Sequence, residues 1–266
     1  MRDRRGSAHG TGLGGFVSAL ENLPSTPKLF SVDDERTSGL AENLARVRRR
    51  LTEACQAAGR APGDVTLVGI TKTYPADDVV RLSGLGLIDV GENRDQEASA
   101  KAAAVRAAGV RARWHFVGQL QRNKCRSVAG YADAVHSVDS VRLAEALAEA
   151  ALRVRDGRPL DVLVQVSLDG DPDRGGAAEE VLAVADAVAK AELLRLRGVM
   201  AVAPLGARPD GAFARLAEIS AGLQAAHPGA DRISAGMSGD LEAAVRHGST
   251  HVRVGTALLG NRPVLR

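Results

Sequence analysis

A lysine and two turns of small residues are the parts of this sequence that could do chemistry. Lys72 ends the apolar run VTLVGITK, and later the runs ISAGMSGD and HVRVGTALLG both break into glycine and serine or threonine. Small residues after a strand let backbone N–H groups approach an anion, and a following helix start adds positive partial charge. A lysine amine near a bound phosphate indicates a phosphorylated aldehyde held as a Schiff base.

The two turns have the composition of a phosphate site. Ser238 can donate its hydroxyl to an anion and can also cap a helix that is predicted to start near Asp240. Gly239 and Gly255 permit close approach of the backbone, and Thr256 follows directly. The same residues would suit two ordinary tight turns between a strand and a helix, so spacing alone leaves both interpretations open.

Lys72 is a candidate nucleophile. A lysine amine becomes nucleophilic when burial or a nearby positive charge lowers its pKa. Strand alternation places Lys72 on the same face as Val68 and Ile70, which predicts an inward pose. The alternative is a solvated lysine at the end of a strand. If the first and last strands are neighbours, Lys72 lies close to Gly255 and Thr256, which favours the functional interpretation.

Further polar residues lie on or beside predicted strands. A buried Arg253 would need a partner. It could form a salt bridge with a carboxylate such as Glu92 or Asp89, or it could donate to the ring nitrogen of a pyridine cofactor. Asn93 and His115 are predicted to point to the same end of the strands, where each is either a packed, hydrogen-bonded residue or part of a site.

Composition argues against several classes of protein. The 266 residues suffice for one large domain, and the hydrophobic share of 45% is ordinary for a globular protein. The aromatic content of 3% and the mild net charge of +3 predict no nucleic-acid partner. Cys55 and Cys125 give neither a disulfide framework nor a zinc spacing, which favours a cytoplasmic protein. A break in the helix pattern separates His247 from His251, so no metal site is expected, and no apolar stretch approaches the roughly 18 residues of a membrane helix.

The first part of the chain is predicted to be a disordered tail, residues 1–38, because it mixes Gly, Ser, Pro and charges without sustained periodicity. A helix is predicted from Leu40. Its apolar stripe comprises Leu44, Val47, Leu51 and Cys55. The arginines between these positions are more typical of a solvated helix face than of a nucleic-acid site. Residues 39–266 are predicted to form one domain that carries this extra N-terminal helix.

Short apolar runs alternate with helical patterns through that domain. The predicted strands are 65–72, 88–92, 113–118, 134–138, 161–168, 196–203, 231–236 and 251–258. The predicted helices between them are 76–84, 94–108, 122–129, 140–154, 176–192, 210–226 and 239–247. Strands rich in Val, Ile and Leu that are separated by whole helices favour a parallel sheet. Eight such units predict a single (β/α)8 TIM barrel, whose functional residues lie at the carboxyl ends of the strands. An open, doubly wound sheet is less favoured, because no glycine fingerprint follows the first strand.

In their amino-acid sequence and their order along the chain, these segments resemble the pyridoxal phosphate homeostasis protein family, whose barrel is like the N-terminal domain of alanine racemase. The resemblance covers about residues 40–262. The segments that carry it are GITKTYP, DVGENRDQE, WHFVGQLQRNK, SVDS, RGVMAV and ISAGMSGDLEAAVRHGSTHVRVGTALLG. Departures from the family's usual residues, none of which removes a group for the aldehyde or the phosphate, occur at Ile70, Thr71, Arg94, Asp95, Ala235 and Leu259.

This resemblance implies that pyridoxal 5′-phosphate is the cofactor. The implied cofactor-binding residues are Lys72, Asn93, Ser238, Arg253, Gly255 and Thr256. Lys72 would form the internal aldimine, while Ser238 and the turn at Gly255 would hold the phosphate. Arg253 would face the pyridine nitrogen, and the asparagine would lie beside the cofactor.

The resemblance also implies binding without efficient turnover. Alanine racemase takes an opposing base, a tyrosine, from a second domain that also makes its dimer contacts. This chain ends six residues after Gly260, and neither Tyr74 nor Tyr131 lies where that base would be. We therefore expect a monomer, without catalytic residues, that buffers pyridoxal phosphate and hands it to pyridoxal-phosphate-dependent apoenzymes. The alternatives are a slow amino-acid racemase-like enzyme and a lysine-dependent aldolase that acts on sugar phosphates.

Overall fold

A closed barrel of eight parallel strands forms the body of the protein in a computed structural model, which describes residues 34–169, 175–177, 179–204, 206 and 208–260. The strands pair in chain order, and the last strand pairs with the first. The predicted (β/α)8 barrel is thereby confirmed. The strands are β1 (Thr66–Ile70), β2 (Asp89–Glu92), β3 (Arg113–Phe116), β4 (Ala134–Val138), β5 (Leu160–Gln165), β6 (Leu194–Met200), β7 (Arg232–Ser234) and β8 (His251–Val254).

Helices alternate with the strands as the sequence pattern predicts. They are α1 (Glu35–Ala57), α2 (Ala76–Gly84), α3 (Asp95–Ala107), α4 (Cys125–Tyr131), α5 (Val141–Val154), α6 (Val181–Lys190), α7 (Pro209–Ala226), α8 (Leu241–Arg246) and α9 (Thr256–Leu259). Within the described ranges, none of them is long and apolar enough to cross a membrane.

Helix α1 begins at Glu35, earlier than the predicted start at Leu40. Asp34 caps it, since its Oδ1 accepts a hydrogen bond of 3.3 Å from the backbone N–H of Arg36. Residues 35–38 of the predicted tail therefore belong to this helix, while residues 1–33 lie outside the described part of the chain. The predicted apolar stripe is buried against α8, α9 and β8, and each of its fully buried Leu and Val side chains contributes roughly 1.5–3 kcal/mol.

Two further predicted elements differ from the structure by at least four residues at one end. The apolar run 251–258 is not one strand, because β8 ends at Val254 and the next residues form α9. Leu258 and Leu259 are completely buried in the cluster that α1 makes with this side of the barrel, so their apolar character reflects helix packing. The predicted helix 176–192 begins only at Val181.

Polar side chains occupy much of the barrel interior. Val252 and Val254 pack outward against α1, so Arg253 between them points into the barrel. Gly91 pairs with His115 and shares its face with Ile70, which places His115 inside as well. Branched apolar residues usually fill such an interior, so buried polar groups here require hydrogen-bond partners.

Candidate functional site

The predicted site residues lie at the carboxyl ends of four neighbouring strands, in the order β2, β1, β8 and β7. Lys72 follows the end of β1 and Asn93 follows the end of β2, while Ser238 and Gly255 follow β7 and β8. The closed barrel makes these four strands adjacent, so residues that are far apart in sequence share one rim. The predicted adjacency of the first and last strands is thus confirmed.

Strand register places the lysine between its two neighbours along this rim. Ile70 pairs with Gly91, so Lys72 and Asn93 each follow a pair of neighbouring strand positions by two residues. On the other side, a Cβ atom added at Gly255 would lie 3.5 Å from the Cβ of Ile70. Lys72 is itself half-buried.

The backbone directly after Lys72 is held in an unusual conformation. Thr73 has a φ of 71°, in the left-handed region that residues other than glycine rarely adopt. Its N–H donates to Oε1 of Glu97 on α3 at 2.5 Å, and this bond helps to hold the strained residue in place.

The peptide group before Lys72 is held by a buried ion pair on the outer side of the barrel wall. Nζ of Lys101 on α3 donates to the carbonyl of Thr71 at 2.8 Å and to Oε1 of Glu92 at 2.5 Å. The hydroxyl of Thr71 also donates to Glu92, at 2.6 Å. Burial raises the pKa of Glu92 more than the charge of Lys101 lowers it. The sequence pattern missed this group, which fixes the strand end that carries Lys72.

Arg253 is buried inside the barrel, and no carboxylate in the described part of the chain accepts a hydrogen bond from it. Its Nη1 donates to Oγ of Ser234 at 2.7 Å, and its Nη2 donates to the carbonyl of Ala201 at 3.0 Å. Of the two alternatives for Arg253, the salt bridge with Glu92 or Asp89 is wrong, since Glu92 faces outward and Asp89 binds a histidine. Burial lowers the pKa of Arg253 to about 10, so it stays cationic at neutral pH and can attract an acceptor.

The turn between β7 and α8 differs in detail from the prediction for Ser238. Helix α8 begins at Leu241 and no side chain caps it, so the expected cap from Ser238 is wrong. Instead, the backbone N–H of Met237 donates to Oδ1 of Asp240 at 2.6 Å. Ser238 itself is half-buried in the turn, so its hydroxyl is not used to cap the helix.

Helix α1 supports this turn from outside. Nη1 of Arg50 donates to the carbonyl of Ser238 at 2.7 Å, and its guanidinium also pairs with Glu242 on α8. Arg48 similarly donates to the carbonyl of Gly86 at 2.8 Å. The arginine run of α1 is therefore more than the predicted solvated face, because two of its members tie the helix to loops of the barrel.

The turn after β8 presents backbone donors. Gly255 is the residue before α9, and the first N–H groups of any helix have no acceptor within that helix. The N–H groups of Thr256 and Ala257 are therefore able to donate to a group at the carboxyl end of the barrel.

Asn93 is held by close packing of the next loop. A Cβ atom added at Gly118 would lie 2.0 Å from the backbone oxygen of Asn93, so only glycine allows this approach. The asparagine thereby keeps a defined place beside the end of β1.

The predicted histidines lie elsewhere. His115 does not point to the carboxyl end of the barrel as expected, since its Nε2 contacts Oδ1 of Asp89, the first residue of β2, at 2.8 Å. His247 contacts Asp210 on α7, whereas His251 is buried inside the barrel. Among the described residues, no group of three or more His, Cys, Asp or Glu side chains is arranged to hold a metal ion.

Two interior residues were missed by the sequence patterns. His136 on β4 and Ser234 on β7 are both completely buried and hydrogen-bond each other at 2.9 Å. The available signal was a polar residue in the middle of a short apolar strand, as in AVHSV. Together, the rim offers an amine, a buried cation and backbone donors, which suits an anionic ligand with an electrophilic carbon.

Comparison with known proteins gives consistent results. The family model for the alanine racemase N-terminal domain matches residues 38–263. A curated relative from Mycobacterium leprae, named pyridoxal phosphate homeostasis protein, is 48% identical over 246 residues, which are 87% of this chain and 96% of the relative. A protein of the same name from Escherichia coli is 38% identical over 232 residues, or 84% of this chain and 97% of the relative. The solved structure of PipY from Synechococcus elongatus with PLP bound has a TM-score of 0.73 and 34% identity, and the match covers 83% of this chain and all of that one.

Proposed function

The chain belongs to the pyridoxal phosphate homeostasis protein family, and on this basis we propose that it binds pyridoxal 5′-phosphate (PLP) at the carboxyl ends of β1, β2, β7 and β8. The observation that carries this proposal is the common rim formed by Lys72, Asn93, Ser238, Arg253 and the turn at Gly255. The role of the protein is PLP homeostasis, as in the relatives of that name.

The residues present fit the chemical groups of PLP. Arg253 is a buried cation that donates to two uncharged acceptors, so it can offer a donor to a ring nitrogen without first breaking a salt bridge. The backbone donors after Gly255, with the hydroxyl of Ser238, suit a phosphate. Asn93 is fixed beside Lys72, where a ring would lie.

Lys72 supplies the reversible attachment. The aldehyde of PLP condenses with a lysine amine to a Schiff base with release of water, and added water reverses the reaction. Glu97 and Lys101 hold the peptide groups on both sides of Lys72, so the backbone that carries the amine has a defined place. Reversible attachment lets the protein limit free aldehyde and deliver PLP to apoenzymes.

We propose that the protein binds PLP without efficient turnover of a substrate. The relatives are named as homeostasis proteins, and the two tyrosines of the sequence are both engaged elsewhere. The hydroxyl of Tyr74 donates to the carbonyl of Gly260 at 2.7 Å, and Tyr131, the last residue of α4, packs against the apolar cluster that contains Trp114. Neither supplies a base opposite Lys72. The protein is further expected to be a cytoplasmic monomer, which light scattering and cell fractionation would check.

The decisive experiment is the visible absorption spectrum of the purified protein after addition of PLP. Wild type and Lys72→Ala are compared before and after reduction with borohydride, and Lys190→Ala serves as the matched control because Lys190 is exposed at the end of α6. We expect a visible band in wild type and in the control, its loss in Lys72→Ala, and bleaching with permanent attachment of PLP to Lys72 on reduction.

A wild-type protein that stays colourless with added PLP would refute the proposal. Delivery is tested by incubating the loaded protein with a PLP-dependent apoenzyme and measuring recovery of that enzyme's activity. Transfer should depend on Lys72 and Ser238, and transfer that is unchanged in both variants would count against the proposed role. Interconversion of a D/L amino-acid pair above the Lys72→Ala background would show that the protein is an enzyme instead.

A further inference from the structure

An unbroken chain of hydrogen bonds runs through the barrel from Arg253 to Asp89. Nη1 of Arg253 contacts Oγ of Ser234 at 2.7 Å, and the same Oγ contacts Nδ1 of His136 at 2.9 Å. Nε2 of His136 contacts Nδ1 of His115 at 2.9 Å, and Nε2 of His115 contacts Oδ1 of Asp89 at 2.8 Å. We call these five residues the interior relay.

The two ends of the interior relay restrict where its protons can lie. A guanidinium can only donate, and an ionised carboxylate can only accept. Ser234 accepts from Arg253, and in the arrangement that we infer its own hydroxyl donates to Nδ1 of His136. His136 must then carry its proton on Nε2 and donate to His115, which in turn donates from Nε2 to Asp89. In this arrangement both histidines are in the same tautomer, with the proton on Nε2.

The surroundings favour this arrangement of protons. Burial is the main cause that lowers the pKa of His136 well below its usual value, and the nearby cations Arg253 and Arg113 act in the same direction. A second proton on His136 would also turn its Nδ1 into a donor toward Ser234. The buried hydroxyl of Ser234 would then lose its acceptor, which is costly in an interior that excludes water.

The interior relay holds Arg253 in a fixed orientation without neutralising the charge of its guanidinium. A direct salt bridge would orient the guanidinium but would also satisfy its charge. Here the direct partners are the hydroxyl of Ser234 and the carbonyl of Ala201, and the carboxylate lies at the other end of the interior relay, on the first residue of β2. The guanidinium is held in place while its charge stays available to a ligand.

We propose that His136, acting through Ser234, is a positioning residue that orients Arg253 toward the pyridine nitrogen of bound PLP. This inference rests on the proposed function, because it needs PLP at the rim. The competing explanation is that the buried histidines merely fill the barrel.

The geometry supplies a matched control within the same interior. His251 is buried, and its ring centroid lies 6.2 Å from those of both His115 and His136. Its Nδ1 contacts the hydroxyl of Thr250 at 2.8 Å, so it is not a member of the interior relay. Replacement of His251 by leucine perturbs the same layer of the interior and leaves the relay intact.

The first test needs no cofactor. In protein labelled with 15N-histidine, long-range proton–nitrogen correlation spectra report the tautomer of each ring. We expect His115 and His136 to be neutral with the proton on Nε2. A charged ring or the opposite tautomer at either residue would overturn the ordered relay.

The second test measures the ring nitrogen of PLP directly. PLP labelled with 15N at the pyridine nitrogen is bound to wild type, His136→Leu, His136→Gln and His251→Leu, and its chemical shift and affinity are measured. We expect His136→Leu to move the shift toward that of free pyridine and to weaken binding about tenfold, as for one weakened charge-assisted hydrogen bond. His136→Gln, whose amide can both accept and donate, should restore most of the wild-type shift, and His251→Leu should keep it.

The outcomes separate this inference from the proposed function. If wild type binds no PLP, the proposed function fails and the inference falls with it. If wild type binds PLP and His136→Leu leaves the shift unchanged, or His251→Leu changes it equally, the inference alone is overturned. Should His136→Leu not fold, Ser234→Ala breaks the same connection by loss of one oxygen and must produce the same change in shift.

Discussion

Removal of the ammonium group of Lys101 should reveal how strongly the barrel depends on the ion pair behind Lys72. The side chains of Glu92 and Lys101 are 1% and 5% exposed, and Nζ lies 2.5 Å from Oε1. The second oxygen of Glu92, Oε2, is buried and has no hydrogen-bond partner among the described residues. Lys101→Met leaves this carboxylate with the hydroxyl of Thr71 as its remaining donor in the group.

The expected loss of unfolding free energy in Lys101→Met follows from the burial of this ion pair. Breaking a buried pair by removal of one partner costs about 3–5 kcal/mol of unfolding free energy, compared with about 0–1 kcal/mol for a surface pair. For a chain of this size, that loss lowers the melting temperature by about 2–4 °C per kcal/mol. Glu92→Gln/Lys101→Met should recover most of the stability, because no buried charge remains.

Urea unfolding at equilibrium measures these losses. The single tryptophan, Trp114, is buried on β3 and provides a fluorescence signal, which circular dichroism should match. The pKa of Glu92, already raised by burial, should rise further in Lys101→Met. The folded variant then binds a proton that the unfolded chain binds less well. The unfolding free energy of the variant should therefore fall as the pH rises above about 4.3. A loss below about 1 kcal/mol, or a double variant as unstable as Lys101→Met, would refute this reasoning.

Two other predictions concern packing and pH. Gly118→Ala should cost about 1–3 kcal/mol or more and weaken PLP binding, because its Cβ would collide with the backbone of Asn93. Gly130→Ala, in open space on α4, should instead gain up to about 1 kcal/mol, and urea unfolding with PLP titration compares the two. Separately, burial lowers the pKa of His251 to about 3 and that of His136 well below its usual value. The unfolded chain therefore binds protons first as the pH falls below about 6.5, and stability should drop by about 1.4 kcal/mol per pH unit for each histidine. Stability that is constant between about pH 6.5 and about pH 4.5 would contradict this assignment.

The barrel could be predicted because each of its strands is short, apolar and separated from the next by a helical pattern. Helix α2 has the predicted bounds of 76–84, and the ends of β4 also coincide with the prediction. Helix α9 could not be predicted, because a short apolar run such as ALL fits a strand and a buried helix equally well. The packing of this run against α1 favours the helix over the strand, and that contact joins residues far apart in the sequence.

The rim of the candidate site was accessible from sequence for a similar reason. Lys72 and Gly255 each follow an apolar strand, and closure of the barrel brings such positions together. The side chains that hold these rim residues in place could not be predicted from the sequence. Glu92 was considered as a partner of Arg253, but the pleat turns it outward to Lys101 on the next helix. The interior relay takes one residue from each of five strands, so its contacts depend on register and side-chain orientation that no local pattern encodes.

The strained backbone at Thr73 has a consequence for the thermodynamics of ligand exchange. Glu97 and Lys101 hold the peptide groups on both sides of Lys72 through bonds within the protein alone. A ligand that arrives at this rim finds its attachment point in place and causes little loss of chain entropy there. Its residence time is then governed by its own contacts and by the reversal of its attachment, since departure does not require a loop to unfold. An attachment point that is fixed within the protein in this way is consistent with the proposed reversible binding of PLP.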